Sequence, residues 1–293
     1  MTSSMRALGP FTTTAVGLGC MGLSIEGKPD QATAIDVIHQ ALDAGCRHLD
    51  TAWSYYESGG PEQTNERLVR QALDSWKGPR QDVLVATKVG HYRNFTDGRP
   101  TWAVDGRPES LIRHAKESAQ ALGVDTIDLL YMHRPDPQVP YQESLEAMAE
   151  LAKQGVARTL GVSNVDIERM DLARKILGDD LVAVQNQFSP TFTSSRQELD
   201  HAAELGLAFI CWSPLGGFRA PKDETRYDTF RQVAQERGVS HQRVVLAWEL
   251  SQNSNVFVVP GAHRAATILD SLQAADMELS EDEMNRLNRA ATA

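Results

Sequence analysis

The run ESLIRHAKESAQALGVDTIDLLYMH, residues 109–133, holds the unit on which the rest of the chain is built. Its first part, 109–123, carries apolar side chains at three- and four-residue intervals and ends on Gly123, the pattern of an amphipathic helix with a glycine stop. Its last part, TIDLLYMH at 126–133, is a short apolar run that reads as a buried strand and finishes on a polar residue, His133. Upstream, the same kind of strand recurs as TTAVGLG at 13–19, RHLDT at 47–51 and VLVATK at 83–88. Downstream it recurs as ARTLGVSN at 157–164, VAVQ at 182–185, LAFICW at 207–212 and VFVVP at 256–260. Helix-like segments such as ATAIDVIHQALDAG, YQESLEAMAELAKQG and RQELDHAAELG lie between them.

Eight strands with intervening helices in 293 residues, and no long Pro/Gly/Ser-rich linker, predict an α/β protein: one (β/α)8 TIM barrel domain spanning 1–293. SHQRVVLAWEL at 240–250 is expected to be the helix before the last strand, which makes the helix around TFRQVAQERG an insertion, and SEDEMNRLNRA a terminal helix.

With 29 basic against 39 acidic side chains and no block of like charge, a broad nucleic-acid or anionic-membrane surface is not expected. No apolar run approaches the roughly 20 residues that cross a bilayer, and the start MTSSMRALGPF lacks a signal-peptide core. Three cysteines, Cys20, Cys46 and Cys211, form no CxxC pair and read as reduced, buried thiols. A cytoplasmic protein is expected, its oligomeric state left open.

In a β/α barrel the active site lies where strands run out into the βα loops. Asp50, Lys88, His133, Asn164 and Gln185 each end a predicted strand. Taken singly, each has an ordinary explanation: a loop cap, a solvated charge, a satisfied imidazole. Together they converge on one opening, where unpaired buried polar groups would be costly. No metal is expected, because the first strand lacks HxH and further ligands are missing. A GxSxG elbow and a cysteine beside a histidine are missing too, so nucleophilic hydrolysis is disfavoured. The loop WSYYESGG after Asp50 brings Tyr55 to the same mouth, within reach of Lys88. A phenol is a reluctant donor near neutrality, and a neighbouring ammonium should bring its proton closer to transfer. Asp50 would keep Lys88 charged, and His133 would hydrogen-bond a substrate oxygen. Such a group can protonate the alkoxide that forms when a carbonyl accepts hydride.

GLGCMGLS at 17–24, HLDTAWSYY at 48–56, VLVATKVG at 83–90, IDLLYMHRPDP at 127–137, LGVSN at 160–164, VQNQFSP at 184–190, WSPLGG at 212–217 and VVPGAHR at 258–264, in that order, resemble the aldo-keto reductases along nearly the whole chain. The resemblance implies a catalytic tetrad of Asp50, Tyr55, Lys88 and His133, with Tyr55 the proton donor. It implies that Ser163, Asn164 and Gln185 hold the nicotinamide carboxamide and that Trp212 stacks on the ring, where tyrosine is common. Gly19, Cys20, Met21, Ser213, Leu215, Arg264 and Asp270 are further expected along the cofactor. Two departures stand out. Tyr56 follows Tyr55 where many members have glycine, and the presumed phosphate grip in PGAHRAATILDSLQ offers Arg264 and His263, with Thr267 and Ser271 where a basic residue and asparagine are common. NADPH is expected over NADH, with weaker discrimination than is usual in the family.

GLGCMG at 17–22 formally matches GxGxxG, but LSIEGKPD separates it from the next helix and Asp43 lies inside a helical pattern, so no Rossmann site is expected. Trp53, Tyr56, Tyr92, Trp102 and Phe218 are candidates for the substrate opening, and HYRNFTDGRPTWAVDGRP at 91–108 is expected to be a mobile specificity loop. The expected activity is NADPH-dependent reduction of an aldehyde, ketone or oxidised sugar. The alternatives are an NAD-dependent alcohol or sugar dehydrogenase and a nicotinamide-sensing regulatory subunit.

Overall fold

The computed structural model describes residues 5–97, 99–217 and 225–292. A hairpin comes first, β1 (Met5–Leu8) and β2 (Phe11–Thr14). The chain then alternates: β3 (Leu18–Gly19), α1 (Gln31–Asp43), β4 (His48–Asp50), α2 (Thr64–Ser75) and β5 (Leu84–Val89). A second hairpin follows, β6 (His91–Thr96) with β7 (Arg99–Val104), before α3 (Pro108–Leu122). Next come β8 (Ile127–Met132), α4 (Tyr141–Lys153), β9 (Ala157–Ser163), α5 (Ile167–Leu177), β10 (Leu181–Gln187), α6 (Arg196–Glu204) and β11 (Ala208–Trp212). The chain ends with α7 (Asp228–Arg237), α8 (His241–Leu250), β12 (Val256–Val258), α9 (Ala265–Leu272) and α10 (Glu281–Thr292).

Eight parallel strands pair in the order β12-β11-β10-β9-β8-β5-β4-β3. The ring closes through parallel bridges Val16↔Val258 and Gly19↔Gly261, with Gly17 N donating to Val258 O at 2.9 Å and Gly19 N to Pro260 O at 3.0 Å. Gly19 has to be glycine at this seam: a Cβ there would lie 2.6 Å from the Val259 carbonyl. Gly17 and Gly19 of GLGCMG thus let neighbouring strands approach closely, and Gly22 lies in a 3-10 turn, Met21–Leu23, where a phosphate loop would lead into a helix.

Alternation sorts every barrel strand into two faces. Leu49, Val85, Leu130, Val184, Phe209 and Cys211 join the helices in the large outer core. Leu84, Ala86, Leu129, Tyr131, Ala183, Ala208, Ile210, Phe257 and Val259 fill the interior, with Leu8 among them and Phe11 packed against them. The interior parity runs on to Lys88, His133, Gln185 and Trp212, which is how period-two strands deliver polar side chains to one mouth.

Two expectations are corrected. The strand expected over 13–19 is divided: Phe11–Thr14 turns back on Met5–Leu8, and only Leu18–Gly19 is a barrel strand. Residues 91–96 and 99–104, within a stretch expected to be a mobile loop, pair as a hairpin in which Thr96 faces Arg99. Asp-Gly between two β runs is a strong hairpin signal, and Asp97 has the positive φ, 51°, that such turns use.

Candidate active site

Lys88, 1 % exposed, is the hub. Its Nζ donates to Asp50 Oδ1 at 2.5 Å, to Thr51 O at 2.9 Å and to Tyr55 Oη at 3.3 Å. An ammonium has three donors, so all are engaged. The other oxygen of Asp50 accepts from Gln185 Nε2 at 2.8 Å. Tyr55 is carried by the β4–α2 loop, which Asn65 at the start of α2 fastens. Asn65 N donates to Tyr55 O at 3.2 Å, and its amide donates to Cys20 O at 2.8 Å and to Ser24 Oγ at 2.6 Å. Ser24 Oγ in turn donates to Tyr55 O at 2.8 Å.

Burial and charge oppose each other here. Burial pushes the Tyr55 phenol above its ordinary range, the Lys88 ammonium pulls it down and Asp50 pushes it up, leaving it raised. The expectation that Lys88 acidifies Tyr55 therefore holds for that pair alone, while the net direction is the reverse because the phenolate is desolvated. For Lys88, burial favours the neutral form, but Asp50 and then Tyr55 more than offset it, so its ammonium is held above its usual range. His133 packs edge-on to Tyr55 with ring centroids 5.8 Å apart. Burial first, then His91, Lys88 and Arg134, hold its imidazole well below its ordinary value and therefore neutral.

Sequence reading missed His91. It opens β6, lies edge-on to His133 at 4.6 Å and stacks on Trp102 at 5.1 Å. Trp102 in turn meets Tyr55 edge-on at 6.3 Å, and Met21 packs in the same small cluster. Asn65, on α2, was missed too. The strand-end rule finds neither, because His91 belongs to a hairpin and Asn65 to a helix.

The residues matched to the carboxamide form one bonded set. Ser163 Oγ donates to Gln185 O at 2.7 Å, and Asn164 Nδ2 donates to Ser163 Oγ at 2.9 Å and to His133 O at 3.0 Å. Asn164 has φ 59° and Ser213 φ 50°, both left-handed. Trp212 is half-buried, and its Nε1 is buried with no partner among the described residues. A half-buried indole lining a cleft with Asn164, its Nε1 unpartnered, suits a flat, amide-bearing ring, so these residues fit a nicotinamide. Cys20 is fully buried, and Leu215 packs against the outer core.

Other candidates lie elsewhere. Trp53 is turned outward: its Nε1 donates to Glu117 at 2.8 Å and its ring stacks on His114 at 3.9 Å, both on α3. That contact takes it away from the substrate opening, because an indole in the helix layer finds both an acceptor and a stacking partner. Tyr56 packs edge-on to Trp53 at 5.9 Å, and its hydroxyl accepts from Arg93 N at 3.1 Å, tying down the β6–β7 hairpin. Tyr92 is partly buried against the outer core, and Phe218 lies outside the described residues. The Asp270 carboxylate accepts from Ser240 and Arg243 of the α8 start. Ser271 bonds back to Thr267 O at 3.0 Å within α9. Arg264 is exposed just before α9.

The Aldo/keto reductase family model matches residues 15–292. Pyridoxine 4-dehydrogenase of Escherichia coli is 30% identical over 298 aligned residues, covering 98% of each chain. The 6-dehydroglucose reductase of Novosphingobium aromaticivorans is 31% identical over 272, covering 90% of this chain and 87% of its own. Among solved structures, the glycerol dehydrogenase of Gluconobacter oxydans superposes with a TM-score of 0.84 at 25% identity, covering 99% of this chain and 95% of that one. An aldo-keto reductase of Klebsiella pneumoniae in complex with NADPH gives 0.81 at 23%, covering 99% and 95%.

Proposed function

The chain belongs to the aldo/keto reductase family, and from that premise we propose that it reduces an aldehyde, ketone or oxidised sugar to the alcohol with NADPH, using Tyr55 as the acid. The observation that carries the reading is the contact of Lys88 Nζ with Tyr55 Oη at 3.3 Å, with Asp50 behind it.

When bound, the reduced nicotinamide supplies the hydride. Ser163, Asn164 and Gln185 orient its amide and Trp212 covers its face. The neutral His133 donates a ring N–H to the carbonyl oxygen. Tyr55, kept protonated by burial, gives its proton to that oxygen as negative charge develops. The phenolate left behind sits beside the Lys88 ammonium, which Asp50 holds in place, and Gln185 holds Asp50. The same amide thus connects the cofactor set to the acid. Buried surroundings strengthen each of these interactions.

A second reading, an NAD-dependent dehydrogenase working toward oxidation, draws support from the lone exposed Arg264 at the phosphate end and from relatives named for dehydrogenation. Loss of reduced-nicotinamide absorbance with a panel of aldehydes, ketones and sugars, beside alcohol-dependent gain of absorbance with NAD, separates the two. NADPH oxidation by several carbonyls is expected. Turnover confined to alcohols with NAD would overturn the first reading in favour of the second.

A further inference from the structure

Arg134 follows His133 directly and stands at the barrel mouth. Its charge is felt by His133 and His91, and Tyr55 acts on it in turn, so it lies within electrostatic reach of the reacting groups. Among the described residues no carboxylate pairs with it, whereas Arg93, Arg107, Arg169 and Arg243 each have one. It forms one wall of a cleft of about 410 Å³ that runs along the ends of β9 and β10, past Asn164, Asn186 and Gln187, to Trp212. Arg169 also lines the cleft but is paired with Asp166, and Glu198 stands in the wall on α6. Among the described residues lining the cleft, Arg134 is therefore the cation left available for a ligand.

We propose that the substrate carries an anionic group, a carboxylate or a phosphate, that seats on the Arg134 guanidinium while its carbonyl lies at Tyr55. This rests on the reductase reading above. A guanidinium presents a planar fork of donors suited to either anion. The cofactor's own phosphates are a poorer occupant on topological grounds. β8, which carries Arg134 at its end, is four strands from β12 in a ring of eight, so Arg134 stands across the barrel from Arg264 and the α9 start, where the phosphate grip is expected. The anion site is thus on the side of the barrel away from the expected phosphate grip.

The test compares kcat/KM with NADPH for matched pairs, succinic semialdehyde against butanal and glyceraldehyde phosphate against glyceraldehyde, in the wild type, Arg134→Met and Arg134→Lys. In the wild type at least one anionic member should exceed its neutral partner about tenfold, the pair showing the advantage naming the anion. Arg134→Met should bring that ratio to about one, mainly through KM, and Arg134→Lys should restore part of it. The Kd for NADPH, read by quenching of tryptophan fluorescence, should stay within about twofold in Arg134→Met. Ratios near one in both wild-type pairs, or a ratio that Arg134→Met leaves in place, overturn the proposal while the reductase reading stands. A Kd for NADPH weakened about tenfold assigns Arg134 to the cofactor and also overturns it. No turnover of any of the four compounds overturns this inference, while the wider carbonyl panel decides the reductase reading by itself.

Discussion

The mouth at the ends of β4, β5 and β8 and the rim before α9 would serve one reaction by opposite means. Around Lys88 every charge is spoken for: Lys88 makes three bonds, both Asp50 oxygens are used, and this set is nearly sealed from water. At the rim a single exposed arginine, Arg264, faces solvent, while the nearby Asp270 is engaged by its neighbours. In a buried set, removing one member leaves another unsatisfied, so effects are large and chemical. At an exposed site, water and salt replace what is lost, so effects are small and graded.

Three measurements would break or sharpen that contrast. The largest effect is expected from Tyr55→Phe, which removes the donor oxygen and leaves Lys88 on Asp50 and Thr51. Turnover should fall by about 10³, within the span of general-acid contributions, with cofactor affinity nearly unchanged. A variant with ordinary turnover would place the acid elsewhere.

Next comes acid stability. His48 lies inside the barrel beneath Asp50, packed edge-on to Phe257 at 6.4 Å, and burial pushes its imidazole down to about 4. Below about 6.5 the unfolded chain gains a proton there that the folded chain refuses until about 4, so protonation favours unfolding. Stability is thus full above the ordinary histidine value and is lost as pH falls through that window, by roughly 3 kcal/mol for this residue. His91 and His133 act in the same direction. A urea midpoint that stays flat across the window would mean that the buried interior admits charge far more readily than its packing implies.

The smallest effect is expected at the rim. Arg264→Ala should weaken NADPH binding about fivefold and leave NADH within about twofold, since an exposed charge-assisted bond is largely screened. A hundredfold loss would mean that the rim is as tightly coupled as the mouth.

Much of this was legible in the chain. The repeated strand-then-helix units gave the barrel, and period-two alternation gave the shared face, since a side chain two residues beyond Ala86, Tyr131 or Ala183 has to point the same way. The N-terminal hairpin was not legible, because TTAVGLG looks continuous until Thr12 and Thr13 are seen paired with Ala7 and Arg6. The β6–β7 hairpin was signalled by the Asp-Gly pair in its sequence but hidden among charged and polar residues.

Strand periodicity alone puts polar residues at strand ends and therefore opens Asp50, Lys88, His133 and Gln185 onto one mouth. That Gln185 bonds Asp50, that Trp53 turns outward to Glu117 and His114, and that Arg243 and Ser240 engage Asp270 came from the closed fold. The reason is physical: backbone periodicity fixes the direction in which a side chain leaves the strand, but its partner is set by which donors and acceptors from distant segments compete for it once the ring has closed.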